Sequence, residues 1–137
     1  METVWNDLPA RERASLDRVA LETHFRPHAE QVLDSRENLV FVAEGASGEV
    51  AGYAVVGGAS IMLSPVPFGF LYDLWVAPGA RRQGIARRLV EHAAAWCRRQ
   101  GYGKMRLEVS ATNGAARALY AASGFSEERL FLGKALS

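Results

Sequence analysis

One stretch constrains this chain more than any other: Leu74-Trp75-Val76-Ala77-Pro78-Gly79-Ala80-Arg81-Arg82-Gln83-Gly84-Ile85-Ala86-Arg87-Arg88-Leu89-Val90. An apolar, β-rich run stops at Pro78, a short basic turn carries Gly84, and a helical pattern starts at once. A strand that feeds a helix through so short a turn leaves the first N–H groups of the helix without partners. Those groups carry partial positive charge, which suits a phosphate or pyrophosphate. Arg81, Arg82, Arg87 and Arg88 add to the field. The turn is not a P-loop, because GxxxxGK[ST] is missing, and no GxGxxG stands ready for a dinucleotide.

The pattern around this stretch predicts a sheet with helices on it. Leu8 to about Phe25 reads as a helix, with Asp7 as N-cap and Pro9 near its first turn. Pro27 interrupts, and His28 to about Arg36 reads as a second, short helix. His24 and His28 lie near that break, where a catalytic role and a plain helix-end role both stay open. Leu39–Ala43 and Val50–Ser60 flank a turn-forming segment, residues 44–49, and so predict an antiparallel hairpin. Residues Ile61–Pro67 read as a proline-containing loop. The run from Phe68 to Val76 is almost continuously apolar, as a strand covered on both faces should be. Gly84–Gln100 is a helix with Ile85, Leu89, Ala93 and Trp96 inward, and Cys97 reads as a small hydrophobe within it. Lys104–Val109 is the next strand, Asn113–Ala122 a short helix ended by Gly124, and Phe131–Leu136 a closing strand. Strand, helix and strand in this order imply a right-handed crossover and one parallel pair, inside a sheet that begins antiparallel.

The length, 137 residues, predicts one domain over residues 1–137 with a core of useful size. A single cysteine rules out an internal disulfide framework or a thiolate metal cluster, so no metal is expected and a reducing, cytoplasmic setting fits. No apolar run approaches the length of a membrane span, and the start of the chain does not resemble a signal peptide, so no membrane partner is expected. Net charge is only +1, but residues 1–73 hold eleven acids against five arginines (−6) and residues 74–137 hold eleven bases against four acids (+7). That split suits an anionic ligand on the C-terminal half and a cationic one facing the N-terminal half, although solvated helix faces would produce it too. Nucleic acid is not expected, since the basic residues lack interleaved aromatics.

A second constellation follows the basic turn: Leu107-Glu108-Val109, then Asn113, Ala116, Leu119-Tyr120 and Gly124-Phe125. With it the chain resembles the GNAT superfamily of acetyl-CoA-dependent N-acetyltransferases. Arg81, Gly84 and Ala86 match that family's [Q/R]-x-x-G-x-[G/A] signature. Asn113, Ala116, Leu119, Tyr120, Gly124 and Phe125 match its N-x-x-A-x-x-L-Y-x-x-x-G-F pattern. The two motifs cover about residues 70–126, the expected acetyl-CoA-binding core. The resemblance implies an α/β (α+β) fold: a mixed, mostly antiparallel sheet with a splayed parallel pair, flanked by helices. The family's usual first strand, ahead of the first helix, is short or absent here.

The resemblance also implies roles. Backbone N–H groups from Arg82 through Gln83, Gly84, Ile85 and Ala86 to Arg87 would cradle the pyrophosphate of coenzyme A. Main-chain groups of the Leu74-Trp75-Val76 strand end, at Leu74 and Val76, would pair with the pantetheine arm, and Asn113 would hydrogen-bond it. Arg81, Ala116 and Arg117 complete the cofactor-binding set. Tyr120 would protonate the departing thiolate, a donor that such a leaving group needs. As a plain reading, Tyr120 is an aromatic at the edge of the core and Asn113 a helix N-cap. For the general base, the polyamine-acetylating branch that this strand resembles has an acidic residue where Tyr72 stands. Asp73 is the one carboxylate on the strand, as a catalytic group or as a structural hydrogen-bond acceptor. A water-relayed base involving Glu108 or Tyr72 is equally open. Regular alternation would set Phe70, Tyr72, Leu74 and Val76 on one face and Leu71, Asp73 and Trp75 on the other. The expected reaction is acetyl transfer from acetyl-CoA to a small cationic amine. The alternatives are a peptide acceptor (a protein N-terminus or lysine) and a non-catalytic acyl-CoA-binding module. A homodimer is in keeping with the family.

Overall fold

The computed structural model describes residues 26–27, 29–35 and 37–136. Among the described residues four strands lie side by side in chain order: β1 (Leu39–Glu44), β2 (Val50–Ile61), β3 (Ser64–Val76) and β4 (Met105–Arg106). The first two pairings are antiparallel and the β3–β4 pairing is parallel, as expected for this α/β arrangement. Between β3 and β4 run a short 3-10 turn, Pro78–Ala80, and helix α1, Ile85–Arg99. Helix α2, Gly114–Ala122, follows β4. Residues 26–27 and 29–34 are helical. The expected first helix, together with His24 and His28, lies outside the described residues.

One face of the sheet carries α1. Ile85, Leu89, Val90, Ala93 and Cys97 recur at helical spacing and close on Ala51, Ala54 and Val56 of β2 and Leu71 of β3. Trp96 is half-buried beside them, with its ring 6.1 Å from that of Tyr102. Burial pushes the Cys97 thiol above its ordinary pKa, so it packs as an apolar filler rather than a reactive group. Its room comes from Gly69. A Cβ at that position would sit 2.2 Å from the Cys97 sulfur, so α1 rests directly on the β3 backbone there.

The strand that leads to the site differs from a regular pleat. Val55 faces Asp73 while Val56 faces Leu71, so Tyr72 is an extra residue in β3, a β-bulge. The bulge shifts the phase of alternation. Leu71, Leu74 and Val76 therefore all pack on the α1 side, whereas regular alternation would have separated Leu71 from the other two. Asp73 and Trp75 meet Tyr53 on the opposite face.

Three element bounds also depart from expectation. β3 begins at Ser64 rather than after Pro67, and its register slips between Ala59 and Ile61, where Pro65 and Pro67 lack the N–H for a regular ladder. β4 is confined to Met105–Arg106, because only Gly69 and Phe70 of β3 run alongside it. The expected closing strand at Phe131–Leu136 is absent, and residues 125–136 carry no regular secondary structure. That segment is tied to β4 at its start, where Glu128 binds Lys104 and, at 2.6 Å, the Arg106 Nε.

Candidate functional site

Beyond the 3-10 turn the backbone takes two left-handed residues, Arg82 (φ 63°) and Gly84 (φ 77°), on either side of Gln83. Glycine holds that conformation freely, but for arginine it costs about 1 kcal/mol, so the loop is held against a local preference. The first helical bond of α1 runs from Arg88 N–H to the Gly84 carbonyl at 3.1 Å. Among the described residues no acceptor takes the N–H groups of Arg82 through Arg87. Gly84 supplies no side-chain cap, and the first turn of α1 holds no acid. Arg81, Arg82, Arg87 and Arg88 are all exposed around this positive pole, and among the described residues only Arg87 makes an ion pair there, an exposed contact at 3.3 Å to Glu91. Cations crowded at a helix N-terminus are electrostatically unfavourable, and an anion relieves them. Small Ala86 leaves the first turn clear.

The end of β3 offers a second kind of contact. Ala77 N–H bonds to the Ala51 carbonyl at 2.8 Å, which sets the ladder. In an antiparallel pair alternate residues turn both backbone groups toward the partner, so Trp75 faces β2 while Leu74 and Val76 turn theirs away. β4 has parted from β3 by then, so this edge stands open among the described residues. Two of its four groups are held by nearby side chains. Arg81 Nε donates to the Val76 carbonyl at 3.1 Å, and Leu74 N–H donates to Asp73 Oδ1 at 2.9 Å.

Asp73 is held on its other oxygen too, by the Tyr53 hydroxyl at 2.9 Å, and the Tyr53 ring stacks on Trp75 at 5.7 Å. Tyr53 was not visible as a site residue from the sequence, since only strand pairing brings it to Asp73. Tyr72 donates to the Gly58 carbonyl at 3.2 Å, and burial holds its phenol above the ordinary pKa.

The second motif surrounds α2. Asn113 caps that helix by accepting Ala116 N–H at 3.1 Å. Arg117 turns back to the Ala111 carbonyl at 3.2 Å and pairs with Glu127. Tyr120 is half-buried and edge-on to Phe125, with ring centres 5.7 Å apart. It packs against the same core cluster as Leu74, Val76 and Ala80. Glu108 is exposed. Among the described residues, no group of three or more His, Cys, Asp or Glu is placed to hold a metal ion, and no helix is long and apolar enough to cross a membrane.

A mixed sheet with an opened parallel pair, and an arginine-rich helix start at the end of its central strand, define a domain of the acetyltransferase type. Residues 3–125 match the Acetyltransferase (GNAT) family, and the chain belongs to it. It is 37% identical over 93 residues to streptothricin acetyltransferase of Streptomyces lavendulae, covering 68% of this chain and 47% of that protein. The chain thus spans about half the length of that relative. With aminoglycoside N(6')-acetyltransferase type 1 of Serratia marcescens it shares 30% identity over 105 residues, 74% of this chain and 72% of the relative. Among solved structures it is similar to a Pyrococcus furiosus protein assigned as an acetyl transferase. The TM-score is 0.78 at 25% identity, over 88% of this chain and 80% of the other.

Proposed function

We propose that the protein transfers an acetyl group from acetyl-CoA to the primary amine of a small cationic compound. The observation that carries this reading is the continuity of two docking features, the open edge at Leu74 and Val76 and the unfilled N–H groups from Arg82 to Arg87. One suits an amide-bearing arm and the other a pyrophosphate. Acetyl-CoA joins those two groups in one molecule, and its thioester supplies the carbonyl that an amine attacks.

In this reading the N–H groups of Arg82 to Arg87 hold the pyrophosphate, with the arginine side chains around them. Leu74 C=O accepts an amide N–H of the arm, and Val76 N–H faces the thioester carbonyl as a modest oxyanion donor. Asn113, Ala116 and Arg117, at the start of α2, flank the arm. Tyr120 gives its proton to the departing sulfur. Asp73, on the face of β3 opposite α1, draws the ammonium of the acceptor and receives its proton. Each carboxylate oxygen keeps a lone pair beyond the hydrogen bond it accepts already. The relatives named for streptothricin and for aminoglycosides support a small-molecule acceptor, and the acidic balance of residues 1–73 supports a cationic one. A lone, buried cysteine suits the reducing cytoplasm.

Calorimetric titration with acetyl-CoA tests the donor site. Arg82→Glu and Gly84→Glu should each abolish binding, and tight binding that survives both changes removes the assignment. Free-thiol release across polyamines, amino acids, aminoglycosides and peptides tests the acceptor. Turnover with peptides alone would overturn the small-amine reading.

A further inference from the structure

The open edge of β3 presents four backbone groups in a row: Leu74 N–H, Leu74 C=O, Val76 N–H and Val76 C=O. The outer two are taken by side chains. Asp73 Oδ1 holds Leu74 N–H at 2.9 Å, and Arg81 Nε holds the Val76 carbonyl at 3.1 Å. The inner two, Leu74 C=O and Val76 N–H, have no partner among the described residues.

From this we infer that Asp73 and Arg81 are positioning residues that set the register in which the acyl donor docks on β3. The inference rests on the acetyl-CoA reading above. A pantetheine arm carries two amides in series. Against an edge with all four groups available it can pair in more than one register, shifted by two residues. Such a shift moves the thioester by about 7 Å along the strand, away from Val76 N–H. With the outer donor and acceptor masked, a single adjacent acceptor–donor pair remains, and one register satisfies it. Asp73 reaches the edge from the residue before it, and Arg81 folds back from five residues beyond, across the 3-10 turn. The arginine of the signature motif therefore acts through its side chain on the strand, whereas the phosphate cradle is backbone.

Unmasking one flank permits non-productive docking, and that has a kinetic signature. Non-productive binding lowers kcat and KM in step and leaves kcat/KM unchanged. Steady-state kinetics should be measured for wild type, Arg81→Ala and Arg81→Gln with two donors, acetyl-CoA and S-acetyl-pantetheine, which lacks the phosphates. Arg81→Ala should lower kcat and donor KM together, by roughly twofold or more, with both donors. Arg81→Gln keeps an N–H donor and should restore both values. Asp73→Asn keeps an oxygen for Leu74 N–H and should leave donor KM unchanged while kcat falls, whereas Asp73→Ala should lower donor KM as well. A rise in KM for acetyl-CoA alone in Arg81→Ala would make the side chain a phosphate ligand and overturn the register role. A rise in KM for both donors at constant kcat would overturn it too. Wild-type protein that binds neither donor would instead remove the acetyl-CoA reading itself, before any variant is compared.

Discussion

The Tyr53 hydroxyl donates to Asp73 at 2.9 Å, across two neighbouring strands and diagonal to the direct partner of Tyr53, Trp75. The bond joins β2 to the one carboxylate on β3 at the residue where the bulge ends. It leaves the aspartate with a fixed orientation on the face opposite α1, one residue before the open edge.

Tyr53→Phe keeps the ring on Trp75 and removes the hydroxyl. The expected loss is about 1–2 kcal/mol, the scale of a part-buried hydrogen bond to a charged group, read from urea denaturation. The same variant frees one oxygen of Asp73. Its turnover should therefore fall more than its donor affinity, and equal loss of both would deny Tyr53 any part in orienting the carboxylate.

Tyr120→Phe preserves the edge-on contact with Phe125 and removes the acid proposed for the departing sulfur. Turnover should fall by about 100-fold or more, while acetyl-CoA binding in calorimetry stays near wild type. Full turnover in this variant would remove Tyr120 from the mechanism.

Gly69 and Cys97 are complementary in volume. Gly69→Ala places a methyl group 2.2 Å from the Cys97 sulfur, and overpacking of this kind costs about 1–3 kcal/mol. Cys97→Ala alone should cost stability through the space it leaves. The double variant should recover part of both losses. Thermal melts of the four proteins close the cycle, and strict additivity would mean that the two positions do not share that space.

Glu128 is lowered from an ordinary pKa of 4.5 to about 2, first by its hydrogen bond to Arg106 and then by the one to Lys104. A depressed carboxylate stabilises the folded state above its unfolded pKa and loses that contribution as pH falls toward the folded value. Stability should therefore drop between about pH 4.5 and 2 in the wild type. Glu128→Gln should flatten that part of the profile, and high salt should flatten it too, because the group lies at the surface. A profile unchanged by the substitution would show that the contacts to β4 contribute nothing to stability.

What the sequence makes legible is whatever it punctuates. Pro78 and Gly84 mark both ends of the basic turn, and Asn113 announces the cap of α2, which forms with Ala116 N–H as the donor and the Asn113 side chain as the acceptor. The hairpin of β1 and β2 follows from the turn composition between them. The bulge at Tyr72 has no such marker, because a register slip changes which faces residues occupy without changing the residues. Its one sequence trace is the polar pair Tyr72-Asp73 inside an apolar run. The sequence of Phe131–Leu136 predicts a closing strand that does not form. A strand needs a partner edge as well as propensity, and only Met105 and Arg106 of the neighbouring segment adopt strand geometry. The contacts Tyr53–Asp73 and Arg81–Val76 depend on pairing and on a folded-back loop, so no spacing in the chain reveals them.

The extra residue in β3 decides which single deletions the strand can absorb. Val56 faces Leu71 and Val55 faces Asp73, so removing Tyr72 alone restores an even pleat. Leu71, Leu74 and Val76 would keep the α1 side, and Asp73 and Trp75 would keep the other. Flattening the bulge with every residue retained would do the opposite, turning Asp73 and Trp75 into the helix-packed layer and Leu74 and Val76 out of it. Tyr72 is the strand's one spare link: losing it should cost little beyond its bond to the Gly58 carbonyl, whereas losing Leu74 would swap the faces of Trp75 and Val76.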